Sequence, residues 1–238
     1  MVVEINTAEV SKKLLNKLNG TGWEKVFGTY LLSSDFQDVL NNLVKLRNSG
    51  KRITPPLKNV FRAFSECPLD NTKVIIIGQD PYPQFNVADG IAFSCSHTNV
   101  PEKSLRYMLN DIKANVAQEH QDPIDSADLS RWSKQGVLLI NTALTTNVGE
   151  IGKHHELWTD FMTTLFDYLT WNKPDIVYVM LGKKAQEWED YLNPVDVKLK
   201  ASHPASAAYQ KQSVWDSGDV FTRINKALIT LEKDPIKW

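Results

Sequence analysis

Lys73-Val74-Ile75-Ile76-Ile77-Gly78-Gln79-Asp80-Pro81-Tyr82-Pro83, running on to Gly90-Ile91-Ala92-Phe93-Ser94, is the stretch whose reading decides the fold. An unbroken β-branched run ending at a glycine is the pattern of a strand buried on both faces, as in a parallel sheet. Open α/β sheets place their chemistry where such strands end. Each proline locks its own φ and restricts the residue before it, so Asp80 is expected on a stiff loop at a strand terminus. Taken alone, the same residues also make an ordinary surface turn.

Three further runs extend the pattern. Val137-Leu138-Leu139-Ile140 reads as a second buried strand, Ile176 to Leu181 as a third strand and Val195 to Ala201 as a fourth. Between them lie helical stripes: Leu105, Met108, Leu109, Ile112 and Val116, then Trp158, Phe161, Met162, Leu165, Phe166 and Leu169, then Ala185 to Leu192, and finally Val220 to Leu231. The first quarter is helical throughout. Thr7 is expected to cap a helix carrying Val10, Leu14, Leu15 and Leu18; Trp23 to Leu31 makes a second; Ser34 with Gln37 has capping-box spacing before a third that stops at Gly50. Strand–helix alternation predicts a three-layer α/β/α fold with a central four-stranded parallel sheet and a helical N-terminal region. No linker or repeat interrupts it, so residues 1–238 are read as one domain.

A formal charge of −1 argues against broad electrostatic binding, although it leaves room for a local basic groove. Two cysteines, Cys67 and Cys95, are too few for a disulfide framework and lack the spacing of a metal cluster. The N-terminus has no signal-peptide pattern and no apolar run is long enough to span a bilayer, so a protein outside the membrane and inside a reducing compartment is expected.

In a parallel sheet the four strand ends share one edge. The loops that follow are Gln79-Asp80-Pro81-Tyr82, Asn141-Thr142-Ala143-Leu144-Thr145, Gly182-Lys183-Lys184 and Ser202-His203-Pro204-Ala205-Ser206. A carboxylate, an amide and an imidazole around one crevice suit hydrolysis or specific base recognition. No glycine fingerprint for a dinucleotide, no phosphate-binding loop and no serine elbow follows a strand. His154-His155 is not expected to hold a metal, because adjacent helical residues diverge by about 100°; the pair reads as a solvent-exposed helix start.

At these residues the chain resembles the family 1 uracil-DNA glycosylases. Gly78 to Tyr82 with Gly90 and Phe93-Ser94 resembles the family's water-activating loop, and Gly136 to Asn141 with Leu144-Thr145 its uracil-reading strand. His203-Pro204 matches the start of the minor-groove loop, and the Pro55-Pro56 loop, Trp158 and the closing Pro235-Ile236-Lys237-Trp238 agree. The resemblance implies hydrolysis of the N-glycosidic bond of deoxyuridine in DNA, initiating base excision repair, by a monomer without metal or other cofactor. Asp80 and His203 would be catalytic, and Gln79, Tyr82, Phe93 and Asn141 would form the uracil pocket. Pro56, Ser104, Gly182, Lys183, Ser206, Ala207 and Tyr209 fall at the family's DNA-contacting positions. The implied partners are uracil-containing DNA, single- or double-stranded, and a proteinaceous glycosylase inhibitor or a replication protein. The implied compartment is the cytoplasm of a bacterium or virus-infected cell, or the nucleus in a eukaryote. The alternative is a glycosylase fold kept mainly as a DNA-binding or replication-partner module.

Three departures stand out. Pro83 stands where cellular members usually carry His, as it also does in poxvirus members. The usual Gly-Ser is Gly182-Lys183 here. The family's His-Pro-Ser-Pro-Leu-Ser reads His203-Pro204-Ala205-Ser206-Ala207-Ala208, and Ala207 is too small to fill the gap left by an extruded nucleotide. Either flipping from duplex DNA is weak, or Tyr209 or Trp215 supplies the wedge.

Overall fold

The computed structural model describes residues 5–123 and 126–238; the side chains of Ala208 and Tyr209 lie outside the described residues. Three helices, α1 (Thr7–Asn16), α2 (Trp23–Leu31) and α3 (Ser34–Asn48), open the chain. A two-residue strand β1 (Ile53–Thr54) and a short helix α4 (Arg62–Glu66) lead into β2 (Val74–Gly78). Then come α5 (Lys103–Asn115), α6 (Ser130–Ser133), β3 (Val137–Asn141), β4 (Thr146–Asn147) and the long α7 (His155–Asn172). The chain closes through β5 (Val177–Leu181), α8 (Lys183–Gln186), β6 (Val197–Ala201), α9 (Ala205–Tyr209) and α10 (Val220–Thr230).

The sheet order is β3-β2-β5-β6 and every pair is parallel. The three strands with uninterrupted apolar runs are fully buried, while β6, interrupted by Lys198 and Lys200, is a half-exposed edge strand. Chain connections leave β2 and β5 in opposite directions, so the topological switch point lies between them. Register aligns Gly78 with Asn141 and Leu181 with Ala201, bringing all four carboxyl ends to one edge. A separate antiparallel pairing of β1 with β4 is too short to show as a sequence pattern.

Aromatic packing fixes the layers. Trp23 and Phe27 of α2, Phe64 of α4 and Trp158 and Phe161 of α7 form one cluster, with Phe27 stacked on Phe161 at 4.3 Å between ring centroids. Trp132, Phe221 and Trp238 form a second, edge-to-face at 5.2 and 4.9 Å about Trp238. The C-terminal segment is held there by reciprocal bonds between the Asn225 amide and the Ile236 backbone. All six apolar positions expected along α7 are buried.

The local corrections have local causes. Asn6, not Thr7, caps α1 by accepting the Glu9 N–H. Ser33, not Ser34, caps α3 by accepting the Phe36 N–H, and Gln37 points away from the helix end to donate to the Ser11 hydroxyl at 2.8 Å. The helix expected over Ala185 to Leu192 is instead α8, a single turn starting at Lys183, followed by a separate turn at Glu189–Tyr191.

Phe161→Ala should cost about 3–5 kcal/mol of stability in urea denaturation, the range for removing a core aromatic. Trp171→Ala on the same helix, where the indole is 85% exposed, should shift stability by less than about 0.5 kcal/mol. Equal effects would contradict the packing described.

Candidate active site

Two strand ends build the centre of the site. The Thr142 N–H donates to the Gly78 carbonyl and the Ala143 N–H to the Gln79 carbonyl, both at 3.1 Å, so the loop holding Asp80 is stitched to the one after Asn141. Gly78 is required by close approach: a Cβ there would fall 2.5 Å from Asn141 Oδ1 and 3.0 Å from Phe93 Cζ. Phe93, with φ of 65°, belongs to a loop fastened by buried Asp89, whose carboxylate accepts from the Ile91 and Ser96 N–H groups and the Ser94 hydroxyl and pairs with Arg62. Tyr82 packs over it and donates its hydroxyl to the Phe93 carbonyl at 3.1 Å. Burial pushes the Tyr82 phenol well above its usual range, so it is neutral.

His203 arrives from the end of β6, with its ring 5.8 Å from that of Phe93. Gly182 permits this approach, since a Cβ there would lie 2.9 Å from His203 Cβ. The Ala205 N–H donates to His203 Nδ1 at 3.2 Å, which leaves Nε2 as the protonated nitrogen of the neutral ring. Burial lowers the pKa of this imidazole below 6.5, only partly opposed by the charge of Asp80. His203 is therefore a neutral donor at neutral pH.

Asp80 is held from an unexpected direction. Its carboxylate is 2% exposed; Oδ2 accepts the Gly152 N–H at 3.0 Å and faces His155 Nε2 at 3.4 Å, while Oδ1 takes no bond from the protein. His154 is buried, with Nδ1 2.9 Å from the Thr145 hydroxyl and Nε2 3.2 Å from Asn147 Oδ1. The expectation of a solvent-exposed His154-His155 pair is thus corrected: α7 does begin there, but its start docks on the sheet edge. Thr142, Gly152 and His155 are the site residues that sequence reasoning missed. The adjacent histidines and the Thr142 hydroxyl were visible, but nothing local showed that residues 149–155 fold back over Pro83 and Asp80.

A cleft of about 540 Å³ is lined by Gln79, Asp80, Tyr82, Phe93, Ser104, His203 and Ser206. Asn141 sits behind it, lining an inner recess with Tyr82 and Phe93. Pro56 lines a neighbouring apolar groove instead. Lys183 is exposed at the first turn of α8 beside Gly182. Two expectations fail. Ala207 is buried on the inner side of α9, so its side chain is not available to DNA. Trp215 is buried too, donating its indole N–H to Ser202, so it anchors the segment rather than forming a wedge. The Tyr209 side chain lies outside the described residues. Among the described residues no cluster of His, Cys, Asp and Glu could hold a metal.

The family model of the uracil DNA glycosylase superfamily matches residues 64–229. The chain belongs to this superfamily. A uracil-DNA glycosylase of Acinetobacter baumannii is 31% identical over 219 residues, covering 91% of this chain and 90% of that protein. One from Mycoplasmopsis pulmonis is 32% identical over 218 residues, covering 91% and 96%. The crystal structure of mimivirus uracil-DNA glycosylase superposes with a TM-score of 0.80 at 26% identity, covering 95% of this chain and 88% of that one.

The histidines give this glycosylase-family site a pH signature. Burial lowers the pKa values of both His154 and His203 from 6.5, so the folded chain binds fewer protons than the unfolded one as pH falls through that value. These two groups should therefore make stability decline below about pH 6.5. Nitrogen-15 imidazole spectra at pH 6.5 should show both rings more than half neutral, with the proton of neutral His203 on Nε2; a mostly protonated His203, or an Nδ1–H tautomer, would contradict the assignment.

Proposed function

We propose that this chain excises uracil from DNA by hydrolysing the N-glycosidic bond of deoxyuridine and leaving an abasic site. The observation that carries the proposal is the pairing, across one cleft, of a buried carboxylate with one free oxygen and an imidazole whose outward nitrogen carries the proton.

The chemistry follows from these groups. As the glycosidic bond lengthens, positive charge develops on the sugar and negative charge on the base. Asp80 stabilises the sugar cation, and its free Oδ1 orients the water that adds to C1′. One carboxylate suffices here, in contrast to the acid–base pairs of most glycoside hydrolases, because the departing uracil is a stable anion once its O2 is held. His203 Nε2–H holds that oxygen as a preformed donor. The Asn141 amide pairs with N3 and O4, Phe93 stacks on the ring, and the Gln79 segment closes the pocket. Tyr82 occupies the space of a C5 methyl group, which excludes thymine. The nucleotide must leave the base stack to reach these groups.

Ser104 and Ser206 at the cleft mouth, with Lys183 beside Gly182, are the proposed backbone contacts, and Lys183 makes that contact salt-dependent. With Ala207 and Trp215 both turned inward, neither fills the gap in a duplex; Tyr209 is the remaining candidate wedge, and its side chain lies outside the described residues. Retention of the fold as a mere binding module is disfavoured by the intact catalytic constellation and by the enzyme names of the relatives. A mimivirus relative was crystallised with UGI, which supports a proteinaceous inhibitor as a partner of this chain.

A uracil oligonucleotide incubated with the protein in EDTA and then treated with alkali should be cleaved at the uracil. Single-stranded substrate should react on the order of 100-fold faster than duplex, the rate equivalent of an unpairing cost of about 3 kcal/mol. Asp80→Asn should abolish most cleavage. No cleavage by the wild type, or equal cleavage by Asp80→Asn, would overturn the reading; equal rates on both substrates would overturn the account of the loop.

A further inference from the structure

We propose that His155 is a positioning residue for Asp80, presenting a proton from Nε2 to Oδ2 and so aiming the free Oδ1 into the cleft. The proposal rests on the uracil-excision reading and adds a component to it.

Hydrogen-bond accounting around Thr142 determines where the protons lie. Its single hydroxyl proton has two acceptors in reach: the Gln79 carbonyl at 3.1 Å and His155 Nδ1 at 3.2 Å. If the proton goes to Nδ1, the neutral ring carries its own proton on Nε2, and Gln79 keeps the Ala143 N–H as donor. If it goes to Gln79, Nδ1 donates to the Thr142 oxygen. A neutral ring in that arrangement would turn the Nε2 lone pair toward the carboxylate at 3.4 Å, an unfavourable contact. The first arrangement, which puts a proton between His155 and Asp80, is therefore the favoured one.

The scaffold reinforces this contact. His155 is the first residue of the eighteen-residue α7, whose positive end attracts the carboxylate. The preceding segment adds the Gly152 N–H to the same oxygen and ties itself to the Asp80 loop through the Gly149 N–H bond to the Pro83 carbonyl, at 2.9 Å. Buried His154, fixed by Thr145 and Asn147, anchors the turn from which His155 projects. Oδ2 thus takes the Gly152 N–H and has the His155 ring edge at 3.4 Å, with Nε2 bonded to no other group, while Oδ1 takes no bond. Pro83, on Asp80's own loop, has no side-chain donor, so the helix start supplies the imidazole.

The test is single-turnover excision from a single-stranded uracil oligonucleotide, together with the Kd for an oligonucleotide carrying non-cleavable 2′-fluoro-2′-deoxyuridine. His155→Ala should slow excision on the order of 10- to 100-fold, the scale of a misplaced catalytic group, and leave Kd within about twofold. His155→Gln, whose Nε2 can reach the same place, should recover most of the rate. An active wild type matched within about twofold by His155→Ala, a His155→Gln no faster than His155→Ala, or a loss confined to Kd would each overturn the proposal alone. A wild type without excision would overturn the functional reading and this proposal together.

Discussion

Parallel pairing of Gly78 with Asn141 sets the spacing on which the site depends. The two strands end in step, and two backbone bonds continue the pairing into the loops, from Thr142 to Gly78 and from Ala143 to Gln79. A one-residue slip of β3 against β2 would turn its side chains to the opposite face and separate the carboxylate from the amide. Glycine at position 78 lets the Asn141 amide and the Phe93 ring close against the backbone. The central constraint is therefore steric and register-based, and charge is arranged upon it.

The electrostatic arrangement is asymmetric. Asp80 is buried yet receives the Gly152 N–H, the edge of His155 and the positive end of α7 on one side. His203 is kept neutral by burial and keeps its proton on the outward nitrogen because Ala205 occupies the inner one. A buried carboxylate and a neutral imidazole donor thus line one cleft without neutralising one another, as the proposed mechanism requires. Each depends on a short backbone contact made by a loop that returns over the sheet edge.

Much of this was legible because buried parallel strands leave continuous apolar runs and α7 carries an unbroken 3.6-residue stripe. Asp80, Asn141 and His203 were legible as successors to strand ends. What escaped depends on tertiary docking. His154 and His155 occupy a helix start that nothing local distinguishes from a solvent-exposed one, yet residues 149–155 fold over Pro83. Trp215 looks like a free aromatic in a polar loop, but it is buried and donates its indole N–H to the Ser202 carbonyl and hydroxyl. Ala207 lies on a five-residue helix too short to announce itself, and that helix turns the methyl inward. Ser33 takes the cap position expected of Ser34, and Gln37 bonds to Ser11 on α1, a contact no local pattern reveals.

The most direct measurement is a crystal structure of the protein soaked with free uracil at saturating concentration. The account predicts the ring against Phe93, O2 at hydrogen-bond distance, about 3 Å, from His203 Nε2, N3 and O4 on the Asn141 amide, and Asp80 Oδ1 facing the position of the sugar. Uracil ordered elsewhere, held in this cleft through other edges, or absent from it would contradict the central claim.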